Sequence, residues 1–163
     1  MKTIRNISSL SAFVCLALAS GVASAATWTY SSTSPVTNSG LSATATAFSA
    51  ANNSTATIAA TTAYYGGGLG VTSSGEVTTS PQHAIDNNGA IETVMISFSD
   101  GVSGISSTDK VNLTSVTFGY ASGDSDFSVY AYTGTSAVPS PVGLTYSNLT
   151  TPSNGWTLIG HYN

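Results

Sequence analysis

Residues 80–102 read SPQHAIDNNGAIETVMISFSDGV, and residues 111–132 read VNLTSVTFGYASGDSDFSVYAY. Both are built on period-two alternation, the signature of strands with two different faces. From Ile91 to Phe98, one set is Glu92, Val94, Ile96 and Phe98 and the other is Ile91, Thr93, Met95 and Ser97. The first set is the more apolar at its far end, so Val94, Ile96 and Phe98 are expected to face the core. Asp100-Gly101 closes this strand as a turn. In the second stretch Phe127, Val129 and Ala131 alternate with Ser128, Tyr130 and Tyr132, which places the two tyrosines on the opposite, outer face. Val111, Leu113, Val116, Phe118 and Tyr120 share one face only if a bulge lies near Thr114-Ser115.

The flanking chain continues the pattern. Trp28-Thr29-Tyr30 reads as a short first strand, and Ser31 to Ser39 as a turn leading into Asn38-Ser39-Gly40. Leu41 to Phe48 alternates small apolar residues with Ser and Thr, a strand that packs closely or lies at an edge. Ala50 to Thr62 would tolerate a helix through its alanines, but the interleaved threonines favour strand, with Asn52-Asn53 as a hairpin turn. The glycine run in Tyr64 to Val71 reads as a loop or bulge, since the Lys and following helix of a phosphate-binding loop are missing. Trp156, Leu158 and Gly160 form a last strand reaching Tyr162. Strands of this length, punctuated by Gly, Asn, Asp and Pro, predict an all-β chain, a single antiparallel β-sandwich or jelly-roll-like domain.

Residues 1–25 are expected to be a secretory signal peptide. Lys2 and Arg5 supply the charged start, Leu10 to Ala19 the apolar run, and Ala23-Ser24-Ala25 the cleavage site. The folded domain would then span 26–163, with no cysteine and with Lys110 as its one basic side chain against seven acidic residues. Neutralising phosphates takes Lys and Arg, so nucleic acid and anionic lipid are excluded as partners. Disulfides and thiolate metal sites are excluded with the cysteines. With 41% apolar residues the whole chain is too hydrophobic for a disordered one, and a monomer with its own core is expected.

Two polar clusters head the strands. Asp124-Ser125-Asp126 has acidic spacing suited to Ca2+, with Asp86, Asn87 or Glu92 as further oxygen donors; the alternative is a β-turn capped by its own Asp side chains. His83 beside Asp86 suggests acid–base chemistry, but no nucleophile elbow accompanies it. A buried polar cluster of His83 and Asp86 is the plainer reading, and no catalytic residue is assigned. A carboxylate pair for glycoside hydrolysis would have to come from Asp86 or Glu92 with Asp124 or Asp126, and nothing singles these out. Tyr130 and Tyr132 are the candidate glycan contacts among aromatics that also suit strands.

Several blocks together carry a resemblance to a family. They are Gly70-Val71, Pro81-Gln82-His83-Ala84-Ile85-Asp86-Asn87, Glu92 within Ile91 to Phe98, Gly119-Tyr120, Asp124-Ser125-Asp126-Phe127-Ser128-Val129, and Gly155-Trp156. In these the chain resembles exosortase-dependent bacterial surface proteins, which carry a C-terminal PEP-type sorting signal. The resemblance implies a cell-surface or extracellular protein of a Gram-negative, biofilm-forming bacterium, associated with exopolysaccharide and without enzymatic activity. It also implies exosortase as a processing partner and a sorting signal beyond Asn163, so that further strands are expected after Tyr162. The alternative function is a carbohydrate-binding module, with Ca2+ assisting.

Overall fold

A computed structural model describes residues 26–65, 68–76, 85, 87, 89–99, 111, 113–117, 126–134 and 138–162. Nearly all the regular structure is antiparallel strand, as the alternation predicts, and the sheets do not close on themselves. The central element is β2 (Leu41–Ala50). Along one edge it pairs over its length with β6 (Ile91–Ser99), from Ser42↔Ser99 to Ala50↔Ile91. Its other edge is shared by β1 (Val36–Asn38) at one end and the two-residue β3 (Ala59–Ala60) at the other. Separate hairpins are formed by β4 (Thr62–Tyr65) with β5 (Leu69–Thr72) and by β7 (Phe127–Tyr132) with β8 (Trp156–Tyr162).

Local chemistry sets the turns. Asn38 pairs with Leu41 across two residues that both have positive φ, Ser39 at 52° and Gly40 at 82°. Such a pair matches the right-handed twist of the flanking strands, and glycine takes it without a Cβ clash. Beyond β2, the Oδ1 of Asn52 accepts from the backbone N–H of Ser54, Thr55 and Ala56 at 3.1, 2.8 and 3.0 Å. That side chain replaces a backbone turn and sends the chain back to β3, as the Asn52-Asn53 turn predicts.

Two apolar clusters lie on opposite faces of the β2–β6 pair. Ala43 and its cross-strand partner Phe98 pack with Val111, under Trp28 and Tyr30. Phe48 and Ala50, on the other face, pack with Ile58, Tyr146 and Leu149. The small side chains of β2 let both layers approach closely, so of the two expectations for this alanine strand, close packing or an edge, the first holds and β2 is paired on both sides. The second cluster is capped by α1 (Tyr146–Leu149), a single turn that begins at Thr145, whose hydroxyl accepts the Asn148 N–H at 3.1 Å. Ile58 N–H to Leu144 O and Gly143 N–H to Ile58 O, at 2.7 and 2.9 Å, tie this segment to the β2–β3 connection.

Several expectations are corrected. Trp28-Thr29-Tyr30 is not a strand; its anchor is the Trp28 indole, which donates to Leu41 O at 3.0 Å and sits edge-on to Phe98. The first strand lies instead in Val36–Asn38, inside the segment read as a turn. Tyr64, Tyr65 and Leu69–Val71 are strand on either side of the glycine connection. Residues 113–117 are not strand: Val111 is buried against Phe98, whereas Leu113 and Val116 face solvent. Phe118 and Tyr120 lie outside the described residues. On β6, Phe98 is buried as expected but Ile96, two residues before it on the same face, is exposed.

Candidate functional site

Of the residues singled out in sequence, His83, Asp86 and Asp124 lie outside the described residues. Asn87 lies at an open cleft of about 410 Å3, with Asn52, Asn53, Gly89, Ala90 and Ile91 among the walls. Asp126 is exposed at the entry to β7. Among the described residues, no three His, Cys, Asp or Glu side chains converge as a metal ion would require.

The β7–β8 hairpin reorders the aromatic residues. Val129 pairs with Gly160 but Tyr130 pairs with Leu158, so Ile159 is an extra residue and β8 bulges there. Tyr130 and Tyr132 share the face of Trp156, which packs on the Phe48 cluster. Tyr132 is only 5% exposed and meets Trp156 edge-on at 5.6 Å. Gly155, at φ 72°, closes over its ring; a Cβ there would lie 2.6 Å from Tyr132 Cε2. Tyr132 therefore offers no face to a glycan. Tyr130 is half-buried, and burial raises its phenol pKa.

The outward aromatic pair is Phe127 with Tyr162. They face each other across the open end of the hairpin, stacked at 5.1 Å between ring centroids and 18° between planes. Phe127 is 38% exposed, and Tyr162 folds over Gly160, where a Cβ would meet its ring at 3.2–3.3 Å. On the neighbouring rung, Ser128 Oγ and His161 Nδ1 are 2.7 Å apart. Alternation alone placed Phe127 inward. Of that set Phe127 is exposed, Val129 half-buried and Ala131 only 4% exposed, so both faces of β7 are covered toward its far end. A sequence signal for the pair does exist, since each ring terminates one of two predicted strands.

A second constellation escaped the sequence reading. The turn Ser73-Ser74-Gly75-Glu76 follows β5, with Glu76 N–H donating to Ser73 O at 3.2 Å and Ser73 N–H donating to Glu76 Oε2 at 2.7 Å. Glu92 of β6 lies near its carboxyl group. Glu92 is 7% exposed, and its cross-strand partner in β2 is Ser49. Burial by itself raises the Glu76 pKa. Hydrogen bonds from the Ser73 amide and hydroxyl and from Glu92 outweigh it, leaving Glu76 below the ordinary carboxyl range. The reciprocal serine–glutamate spacing is the local signal that could have marked this turn.

Tyr146 links the core to this region. Its hydroxyl lies 2.5 Å from Thr93 Oγ1 and donates to Ile91 O at 3.3 Å. Burial raises its pKa, with Tyr130 and Glu92 adding and the Thr93 bond opposing. Comparison with known protein families, with curated proteins and with solved structures found no match to this chain.

Proposed function

We propose that this is an exported, non-enzymatic surface or matrix protein that holds exopolysaccharide through the outer face of the β7–β8 hairpin. The observation that carries the reading is the Phe127–Tyr162 stack, in which Phe127 is exposed and Tyr162 half-buried. Two rings held nearly parallel on a rigid hairpin present π-faces and edges to which the C–H face of a pyranose binds, with little side-chain freedom left to lose. The only lysines and arginines are Lys2, Arg5 and Lys110, against seven carboxylates, so the favoured polymer is neutral rather than acidic. Export rests on the N-terminal pattern, and exosortase processing on the family resemblance.

The sandwich arrangement belongs to the same proposal. Apolar clusters on both faces of the β2–β6 pair need cover on both sides, as layered β architectures supply. Nuclear Overhauser contacts from a second sheet onto Ala43 and Phe98, beyond those from Trp28, Tyr30 and Val111, are expected; contacts from those three residues alone would refute it.

Function is tested with a neutral-glycan array and a pull-down on insoluble polysaccharide. Wild-type protein should bind, and Phe127→Ala or Tyr162→Ala should weaken binding by about tenfold or more, the loss of one aromatic contact of about 1.5 kcal/mol. Melting should be little changed in both. A blank array together with no polysaccharide retention by the wild type overturns the proposal.

A further inference from the structure

We propose that the cleft at the Ala50–Ile91 end of the β2–β6 pair is a separate binding site, which takes a neutral pyranose through three asparagine carboxamides. The site does not rest on the β7–β8 reading. Ala50↔Ile91 is the last rung of the β2–β6 ladder. Asn52 and Asn53 follow β2 at that end, and Asn87 and Gly89, which precede β6, line the same cleft. Its volume is about 410 Å3. Small-molecule sites span roughly 300–1,000 Å3, so there is room for one or two sugar rings.

The walls carry the chemistry a sugar needs. Three N–H donors, from Ser54, Thr55 and Ala56, converge on Asn52 Oδ1 and fix which end of that carboxamide is oxygen. Its Nδ2 keeps two protons to donate and has no acceptor among the described residues. Asn53 and Asn87 are exposed, and their side chains make no hydrogen bond among the described residues. Each therefore offers donors and an acceptor side by side, as the neighbouring hydroxyls of a pyranose do. Ile91 adds an apolar wall for the C–H face. It packs on the Phe48 cluster, and its carbonyl accepts the Tyr146 hydroxyl at 3.3 Å, so it is held from within. At Gly89, with φ 85°, nothing lies within 4 Å of where a Cβ would stand, which leaves backbone open to a ligand. No charged residue is among the described walls, and the described residues include no lysine or arginine. An anion would find no counter-charge there and a divalent cation no carboxylate. A neutral polyhydroxylated ring is the ligand that fits.

Asn52 allows binding to be separated from folding. Asn52→Asp keeps an acceptor for the three turn amides and replaces Nδ2 by a second oxygen, so the turn stays and the donor to the ligand goes. Asn53→Ala and Asn87→Ala remove exposed side chains that hold nothing among the described residues. Melting temperatures of all three should stay at or above the wild-type value while sugar binding falls.

The test is an NMR titration of isotope-labelled protein with glucose, galactose and cellobiose to about 50 mM, since ligands this small bind in the millimolar range. Saturable shifts should centre on the Asn53, Gly89 and Ile91 amides and the Asn87 side chain. Asn52→Asp, Asn53→Ala and Asn87→Ala should each weaken binding by about threefold to tenfold, the loss of one hydrogen bond. Phe127→Ala should leave these shifts in place, so this site and the β7–β8 face succeed or fail separately. Cellobiose binding more tightly than glucose assigns a polysaccharide segment, and equal binding a single sugar; both uphold the site. Glucuronate binding more tightly than glucose overturns the neutral assignment. No saturable shift at the cleft with any of the three sugars, or shifts unchanged in Asn53→Ala and Asn87→Ala, overturns the proposal.

Discussion

Gly155 shows how one residue can serve two neighbours. It ends the 3-10 turn of Pro152–Asn154 in a left-handed conformation, and its bare Cα lets the Tyr132 ring lie against the chain. Gly155→Ala adds a strained φ to a collision with a buried ring. It should cost about 1–3 kcal/mol, read as a lower urea midpoint with an unchanged slope. Tyr132→Ala should cost more, about 3–5 kcal/mol, because it empties a packed site. That outcome separates Tyr132 from Phe127, whose removal should affect binding while leaving folding intact. At Asn52 the chemistry is local. Asn52→Ala leaves three turn amides without their acceptor and should cost about 1–2 kcal/mol by the same measurement. This turn was legible because an asparagine bonding to amides two to four residues on needs nothing from the rest of the chain. The pairing of Phe127 with Tyr162 was not legible, since it joins two strands whose adjacency no spacing announces.

At the scale of the element, β2, β6, β7 and β8 could be read from alternation, and their observed bounds lie close to the expected ones. Their facing was harder to read. A strand with small residues on one face and one phenylalanine on the other can bury either, and β2 buries both. On β7, an inward face was assigned to Phe127 and Val129, yet Phe127 is exposed at the start of the strand while Ala131 and Tyr132, on opposite faces, are both buried at its end. The α1 turn gave no periodic signal, being four residues long. Its weight lies in packing: Leu149 and Tyr146 close the Phe48 cluster. Leu149→Ala should destabilise by about 2–5 kcal/mol. Tyr146→Phe, which keeps the ring but removes the bond to Thr93, should cost about 0.5–1.5 kcal/mol. Equal costs for the two would show that α1 is held by its hydroxyl contact instead of by apolar burial.

Across the whole molecule, composition sets what the surface can meet. With Lys2, Arg5 and Lys110 as the only lysines and arginines and seven acidic residues, no positive field is available for a phosphate polymer. Duplex DNA and phosphatidylserine vesicles should both fail to retain the protein at low salt, where such attraction is strongest; retention of either would contradict the charge reading. The amino-acid sequence by itself determined this charge character, the β class and the positions of β2, β6, β7 and β8, because each follows from composition or from period-two patterning along a contiguous stretch. Tertiary structure alone decided which faces are buried, which tyrosine is enclosed and where Phe127 finds Tyr162. Burial and pairing are properties of segments brought together from distant parts of the chain. Alternation marks two faces without saying which one the rest of the molecule will cover.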